Sequence, residues 1–152
     1  MSKSLIDDLQ ARANKGKPDE VGGYLIGSRT NMGIVVSNAT GPYNKDKSSR
    51  TKFSRCDEKH SMNILKAWRQ SKSKETLIGD WHSHTSNNLE YSNIDRKGWM
   101  SMIGQNESPM VGLIVNSSSY RMYLLTNTRP FSILRAQKIA ENQVNILLSS
   151  VE

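Results

Sequence analysis

Apolar side chains recur along this chain with helical and strand periods in turn, and these periods predict its elements. Residues 4–15 carry apolar side chains at helical spacing, with acidic residues in the first turns, which favours a short helix. Two β-type runs at 20–29 and 33–40 then flank the turn "RTNMG". That arrangement predicts a hairpin.

The rest of the chain continues this alternation after a long loop at 41–55. A helix is expected at 56–72, where Met62, Leu65 and Trp68 fall near one face. The remaining expected elements are a strand at 75–84, a helix at 92–105, strands at 110–116 and 120–126, and a helix at 132–149. The order α-ββ-α-β-α-ββ-α predicts a mixed α/β (α+β) sheet flanked by helices, not a doubly wound parallel sheet.

Length and composition predict a single globular domain over residues 1–152. The chain is 36% hydrophobic and 23% charged, and it has no run of the roughly 20 apolar residues that span a bilayer. The first ten residues lack the apolar core of a signal peptide. The single cysteine, Cys56, excludes an internal disulfide and a cysteine-rich zinc site, so a reducing cytoplasm is expected.

The net charge of +7 is concentrated in one segment, which we call the basic segment (residues 44–75). It holds ten Lys and Arg residues against four acidic ones. Such a surplus attracts nucleic acid or an acidic protein surface. A solvated loop followed by an exposed helix face explains the same charges, and the sequence leaves both interpretations open.

The segment "GDWHSH" places two histidines at the end of a predicted strand. Side chains at i and i+2 of a strand share one face, so His82 and His84 form half of a metal site. Asp95, on the first turn of the next predicted helix, is the natural third ligand, and Ser92 can cap that helix. Three protein ligands leave the fourth position of a zinc ion open for water, as in catalytic sites.

Each of these features also has a purely structural interpretation. The spacing S-x-x-D is a variant of the capping box, and a His-x-His pair is common on protein surfaces. Together, however, four residue types at fixed spacing are far less frequent than each alone, so the combination favours a metal site.

His82, His84, Ser92 and Asp95 follow the pattern H-x-H, seven residues, S-x-x-D, which resembles the signature of JAMM (MPN-plus) zinc metalloproteases. Upstream, "DEVGGYLIGSR" is similar to the E-x-G-G opening of that family, with Glu20 as its glutamate. The resemblance covers about residues 5–127 and implies an MPN/JAMM-type fold. The chain departs from the family at 85 and 91, where it has threonine and tyrosine in place of common prolines.

The resemblance implies a compact prokaryotic peptidase or isopeptidase with a defined division of labour. His82, His84 and Asp95 hold Zn²⁺, which activates a water molecule. Glu20 moves a proton from that water to the leaving amine, and the Ser92 hydroxyl donates to the oxyanion.

The resemblance also implies a protein substrate. Family members act on ubiquitin-like tails, and the closest similarity is to deconjugating peptidases of CBASS antiphage operons, which release a cyclic-nucleotide synthase from its covalent targets. Another bacterial ubiquitin-like pathway is the alternative. The basic segment is then a candidate docking site for an acidic substrate surface, and neither a membrane nor nucleic acid is expected as a partner.

Three other functions fit the sequence less well. A PHP-type phosphoesterase also uses H-x-H-T, but it needs more metal ligands than the 68 residues after His84 offer. A non-catalytic MPN scaffold is disfavoured because all the ligands are present. A nucleic-acid-binding module would rest on charge alone. Trp81 is expected in the core, Ser83 has no assigned role, and His60 is expected to be exposed.

Overall fold

The computed structural model describes residues 1–104, 106–127, 131–135 and 145–146. Within them the helices are α1 (Lys3–Gly16), α2 (Lys59–Gln70) and α3 (Asn93–Ile103). The strands are β1 (Gly22–Thr30), β2 (Gly33–Ala39), β3 (Lys47–Ser48), β4 (Phe53–Ser54), β5 (Thr76–Ser83), β6 (Met110–Val115), β7 (Tyr120–Thr126), β8 (Ser132–Arg135) and β9 (Asn145–Ile146). None of the helices in these ranges has the length and apolar content needed to cross a bilayer.

A mixed sheet of seven strands forms the centre of the fold, in the order β8-β7-β6-β5-β1-β2-β9. Only the β5–β6 pair is parallel among the pairs described, and α3 lies in the connection between these two strands. The other strands of the sheet pair antiparallel, with β1 and β2 forming the predicted hairpin. The two short strands β3 and β4 pair with each other inside the predicted loop.

The helices cover both faces of the sheet. Tyr24 of β1 pairs directly with Asp80 of β5, so the two side chains point to the same face. The Tyr24 ring contacts His60 of α2, and Asp80 accepts a hydrogen bond from the indole of Trp99 in α3. Therefore α2 and α3 share one face, while Trp81 and the buried side chains of α1 form the apolar cluster on the other.

Most of the predicted elements are confirmed, including the first helix, the hairpin, the strand that carries His82 and the helix that follows it. The predicted helix at 132–149 is wrong where it can be compared. Residues 132–135 form β8 and residues 145–146 form β9. The remaining residues of that prediction lie outside the described ranges.

The reason for this difference is the exposed edge of β7. An edge strand offers unpaired backbone groups, and the 132–135 segment pairs with them along Tyr123–Thr126. Ile133 then packs on the cluster around Trp99, whereas Leu134 points to solvent, which is the alternation of a strand. Pairing with the sheet overrides the helical spacing of the apolar residues.

Helix α2 exposes its apolar stripe and buries its histidine. Met62, Leu65 and Trp68 are 62%, 45% and 44% exposed, so the stripe that they form faces solvent. His60, expected to be exposed, is instead buried. The expectation for His60 was wrong because the loop between β2 and α2 folds over this histidine.

Hydrogen bonds from that loop hold the His60 ring on both sides. Its Nε2 lies 2.8 Å from the Asp46 carboxylate and its Nδ1 lies 2.7 Å from the Thr40 hydroxyl. A carboxylate only accepts, so Nε2–H donates to Asp46, and in the neutral ring Nδ1 accepts from the Thr40 hydroxyl. Asp46 also accepts from the backbone N–H groups of Tyr43, Cys56 and Asp57. The buried Asp46 carboxylate thus joins both ends of the loop to α2.

We expect Asp46→Ala to lower the free energy of unfolding by about 2–4 kcal/mol, because buried donors lose their acceptor. Urea denaturation measures this change. The matched control is Glu58→Ala, which removes an exposed carboxylate paired with Lys45. This variant should change the free energy of unfolding by less than about 1 kcal/mol. Equal denaturation midpoints for the two variants would contradict the anchoring role of Asp46.

Candidate active site

The end of β5 positions the two imidazoles. His82 lies on the same strand face as Asp80, and its neighbours include the Trp99 ring. His84 follows directly after the strand, where its backbone N–H donates to the Val115 carbonyl over 2.9 Å. The two Nε2 atoms are 3.2 Å apart, which confirms that both histidines face the same place.

The orientation of His84 suits a metal ligand. Its Nδ1 lies 2.9 Å from the Asn88 carbonyl oxygen, which can only accept. Nδ1 therefore carries the hydrogen, and in the neutral ring Nε2 keeps its lone pair. Metal-binding histidines are commonly fixed in this way by a carbonyl on the other ring nitrogen.

Asp95 completes the group from the first turn of α3. Its Oδ1 lies 3.0 Å from His82 Nε2, and its Oδ2 lies 3.1 Å from His84 Nε2. Ser92 and Asp95 also form a reciprocal capping box: Ser92 Oγ accepts from Asp95 N–H, and Asp95 Oδ2 accepts from Ser92 N–H. The two interpretations of S-x-x-D are thus compatible, since the cap that starts the helix also orients the carboxylate.

The spacing of these donor atoms fits a single metal ion. The histidine nitrogens and the Asp95 oxygens are separated by 3.0–3.2 Å. Atoms bound at the usual zinc distances in a tetrahedron are about 3.3 Å apart. His82, His84 and Asp95 are the cluster of potential ligands found among the described residues.

Glu20 is held beside this cluster by the β1–β5 pairing. Val21 N–H donates to Ser83 Oγ over 2.9 Å, and Ser83 N–H donates to the Val21 carbonyl over 2.8 Å. Ser83 lies between the two histidines, so the residue after Glu20 is fastened to the strand segment that carries them. The backbone N–H of Glu20 donates to the Ser49 carbonyl, which fixes it from the loop side.

The close approach of β1 to β5 beside Glu20 requires a glycine at position 22. Gly22 pairs directly with His82, and a Cβ atom here would lie 2.4 Å from the Trp81 carbonyl oxygen and 3.0 Å from His82 Cα. Backbone atoms cannot yield to such a contact as a flexible side chain can. The missing side chain therefore allows β1 to approach β5 where the glutamate meets the histidines.

The electrostatics of the cluster separate its two carboxylates. Burial raises the pKa of Glu20 above its usual value, and the nearby charges of His82 and His84 only partly oppose this. Burial also acts to raise the pKa of Asp95, but His82 and His84, when their rings are protonated, donate hydrogen bonds to it that outweigh burial and hold that pKa well below the usual value. The pKa values of the two carboxyl groups are thus shifted in opposite directions, and Glu20 is the one better able to carry a proton.

These groups open into a cavity of about 400 Å³, which we call the cleft. Glu20, His82 and Asp95 line it together with side chains from the β3–β4 loop and from α3. Arg55 also lines the cleft, and its guanidinium donates to the Gly23 and Trp81 carbonyls and pairs with Asp80 at 3.1 Å. The remaining lining residues are Thr51, Lys52, Phe53, Ile94, Lys97, Gly98 and Trp99.

Comparison with known proteins agrees with this geometry. A family model described as prokaryotic homologs of the JAB domain matches residues 2–136. The chain belongs to this JAB family. The predicted resemblance to JAMM (MPN-plus) proteins is thereby confirmed.

Three relatives of this JAB protein carry the name CD-NTase/cGAS isopeptidase. The Pseudomonas aeruginosa relative is 27% identical over 135 residues, which cover 87% of this chain and 85% of the relative. The Escherichia coli relative is 33% identical over 96 residues (63% and 61%), and the Vibrio cholerae relative is 30% identical over 101 residues (66% and 64%). The matched parts thus span less than two thirds of the last two proteins.

A solved structure supports the fold of the JAB protein. The solution structure of a Desulfitobacterium hafniense protein superposes with a TM-score of 0.65 at 19% identity, covering 91% of this chain and 89% of that one. The predicted MPN/JAMM-type mixed sheet with flanking helices is therefore confirmed.

The predicted site residues are not all placed alike in the JAB fold. His82, His84 and Asp95 converge, and Glu20 lines the same cleft. Ser92 contacts Asp95 through the capping box but is not among the residues that line the cleft. Its oxygen accepts from Asp95 N–H, so its hydroxyl hydrogen is left to donate elsewhere, and its oxyanion role stays a prediction.

Sequence reasoning missed four charged residues of the JAB cleft: Lys52, Lys97 and the paired Arg55 and Asp80. Asp80 had a usable signal, because it precedes His82 by two positions on the predicted strand and therefore shares its face. Arg55 had none, since its place depends on how the long loop folds. Ser83, without a role in the sequence analysis, proves to connect β5 to the segment of Glu20.

Proposed function

We propose that this JAB protein is a zinc-dependent isopeptidase of the bacterial cytoplasm. It hydrolyses the bond between a C-terminal tail and its target, and the tail belongs to a cyclic-nucleotide synthase (CD-NTase) of a CBASS antiphage system or to a ubiquitin-like protein. The observation that carries the proposal is the convergence of three ligand atoms within about 3 Å beside Glu20 in one cleft. The names of the three relatives support the substrate class.

His82, His84 and Asp95 hold the zinc ion in this proposal, and the fixed ring of His84 presents its Nε2 without rearrangement. A bound zinc ion supplies Lewis acidity, which polarises a carbonyl group and makes water a stronger acid. The capping box keeps the Asp95 carboxylate in place, so the ligand set is preorganised.

Glu20 moves the proton of the reaction. Its carboxylate accepts a proton from the attacking water and returns it to the amine nitrogen of the leaving group, so that amide and water yield acid and amine. Burial raises the pKa of Glu20, which brings it closer to the range where a group both accepts and gives up a proton. The Ser92 hydroxyl, whose hydrogen is not used by the helix cap, donates to the developing oxyanion.

The basic segment is the proposed docking surface for an acidic face of the protein substrate. On α2, the exposed side chains of Met62 and Leu65 share a surface groove with Lys66 and Arg69, and Trp68 is exposed on the same helix. Exposed apolar side chains rimmed by charges are typical of protein-binding surfaces. The surface lies on the same face of the sheet as the cleft, because α2 and α3 share that face.

The proposal is tested with a CD-NTase tail joined by an isopeptide bond to a lysine of a reporter protein. We expect the zinc-loaded protein to release the reporter, and we expect chelation by 1,10-phenanthroline to lower the rate at least about 100-fold until zinc is returned. A reporter carrying a ubiquitin-like tail, tested in parallel, distinguishes the two substrate classes. Absence of cleavage, or cleavage that resists chelation, would refute the proposal.

A further inference from the structure

Two cations at the cleft stand without a counter-charge. Lys52 reaches it from the connection between β3 and β4, and Lys97 reaches it from α3. Neither ammonium group has an ion pair or a hydrogen bond among the residues that the structure describes. By contrast, Arg55 is paired with Asp80, also a lining residue. The cleft therefore offers positive charge on two of its walls.

Gly98 leaves the helix wall of the cleft bare. It lies inside α3, three positions after Asp95 and thus on the same side of the helix. A Cβ atom here would meet nothing within 4 Å, so packing does not require a glycine. Glycine is also less favourable than alanine within a helix, so helix stability does not require it. What the glycine does provide is open space beside the ligand carboxylate.

We propose that Lys52, Lys97 and Gly98 form a substrate subsite that binds an acidic side chain next to the scissile bond. The inference rests on the proposed hydrolytic function and adds the chemical class of the residue recognised. The substrate backbone lies over Gly98, where no side chain obstructs it. The carboxylate of the substrate residue lies between the two ammonium groups, and its methylene groups pack on Phe53 and Ile94, which also line the cleft.

Charge attraction to the whole protein does not explain such a preference. The net charge of +7 favours an acidic residue at any position of a peptide, whereas a subsite favours one position only. Position dependence is therefore the property that distinguishes the two cases, and a charge swap identifies the side chain responsible.

The test uses the zinc-loaded Glu20→Ala variant, so that binding is measured without hydrolysis. Fluorescein-labelled isopeptide ligands carry glutamate or glutamine at each position near the bond in turn, and fluorescence anisotropy gives their affinities at physiological ionic strength. We expect glutamate at one adjacent position to bind about fivefold to tenfold more tightly than glutamine. Adding Lys97→Glu should abolish this preference and favour a lysine ligand at the same position.

Two further variants separate the subsite from general effects. Lys15→Glu makes the same charge change on α1, on the other face of the sheet, and should leave the position preference intact. Gly98→Trp should weaken all ligands at least about tenfold without lowering the melting temperature, because its Cβ atom meets no neighbour within 4 Å and we expect its indole to occupy the open cleft.

The inference is overturned if no ligand binds, if glutamate and glutamine bind alike at every adjacent position, or if the preference survives Lys97→Glu. The proposed function is judged separately, by cleavage with the protein that retains Glu20. Selective binding without any cleavage would refute the hydrolase and leave the subsite. Cleavage without an acidic preference would refute the subsite and leave the hydrolase.

Discussion

The His84→Ala variant is expected to lose its metal ion and to hydrolyse an isopeptide substrate at least about 1,000-fold more slowly. In the proposed site the imidazole is one of three protein ligands, and its Nε2 faces both His82 and Asp95 at about 3 Å. Two remaining ligands hold zinc far more weakly than three. Elemental analysis of the dialysed protein should find close to no zinc, against about one ion per chain for the unchanged protein.

The third histidine of the chain is the control for this variant. His60 is buried under the loop and hydrogen-bonds to Thr40 and Asp46, away from the ligand cluster. His60→Asn should therefore reduce stability but keep about one zinc ion per folded chain. Zinc retained by His84→Ala, or lost equally from both variants, would show that the assigned ligands are wrong.

The Glu20→Gln variant should differ from His84→Ala in metal content: it keeps the metal ion but lowers kcat by about 10²–10⁴-fold. Glutamine has nearly the shape of glutamate, but its amide cannot accept and return a proton at neutral pH. The backbone contacts that hold position 20, from Ser49 and through Val21 to Ser83, are unaffected by the change. Zinc content, melting temperature and kcat are measured on the same preparation.

Asp19→Asn provides the matched control, since it neutralises the preceding carboxylate. Asp19 is not among the residues that line the cleft, and its backbone N–H only closes the turn after α1. Its kcat should stay within about twofold of the unchanged protein. If Glu20→Gln turned over as fast as Asp19→Asn, the proton would have to be moved by another group.

The convergence of His82, His84 and Asp95 could be predicted from the sequence because local geometry fixes much of it. A strand places His82 and His84 on one face whatever surrounds it, and a helix cap places Asp95 relative to Ser92. Only the meeting of these two pieces depends on the rest of the fold. The predicted family resemblance supplied that last step, and with it the position of Glu20.

The residues that sequence analysis misjudged all depend on distant contacts. His60 is buried because Thr40 and Asp46, 20 and 14 positions away, fold onto it. Similarly, Arg55 reaches Asp80 across 25 positions, which no local pattern records. Residues 132–135 form a strand because β7 offers a free edge.

The apolar stripe of α2 shows a different limit of periodicity. Spacing correctly grouped Met62, Leu65 and Trp68 on one side of the helix, but it could not tell which way that side faces. The opposite side, with His60, is the one that packs on the fold. A hydrophobic stripe therefore identifies a contact surface without deciding whether the partner is the same chain or another protein.

The two hydrogen bonds between Ser83 and Val21 matter for redesign of the protein. Glu20, the proposed base, and the two imidazoles lie at adjacent ends of β1 and β5, which Ser83 and Val21 join through one backbone and one side-chain hydrogen bond. The residues of the proposed subsite lie instead between β3 and β4 and on α3. Exchanging Lys52, Lys97 and Gly98 alone should retarget the protein toward other tails while Glu20, the two histidines and Asp95 stay in place.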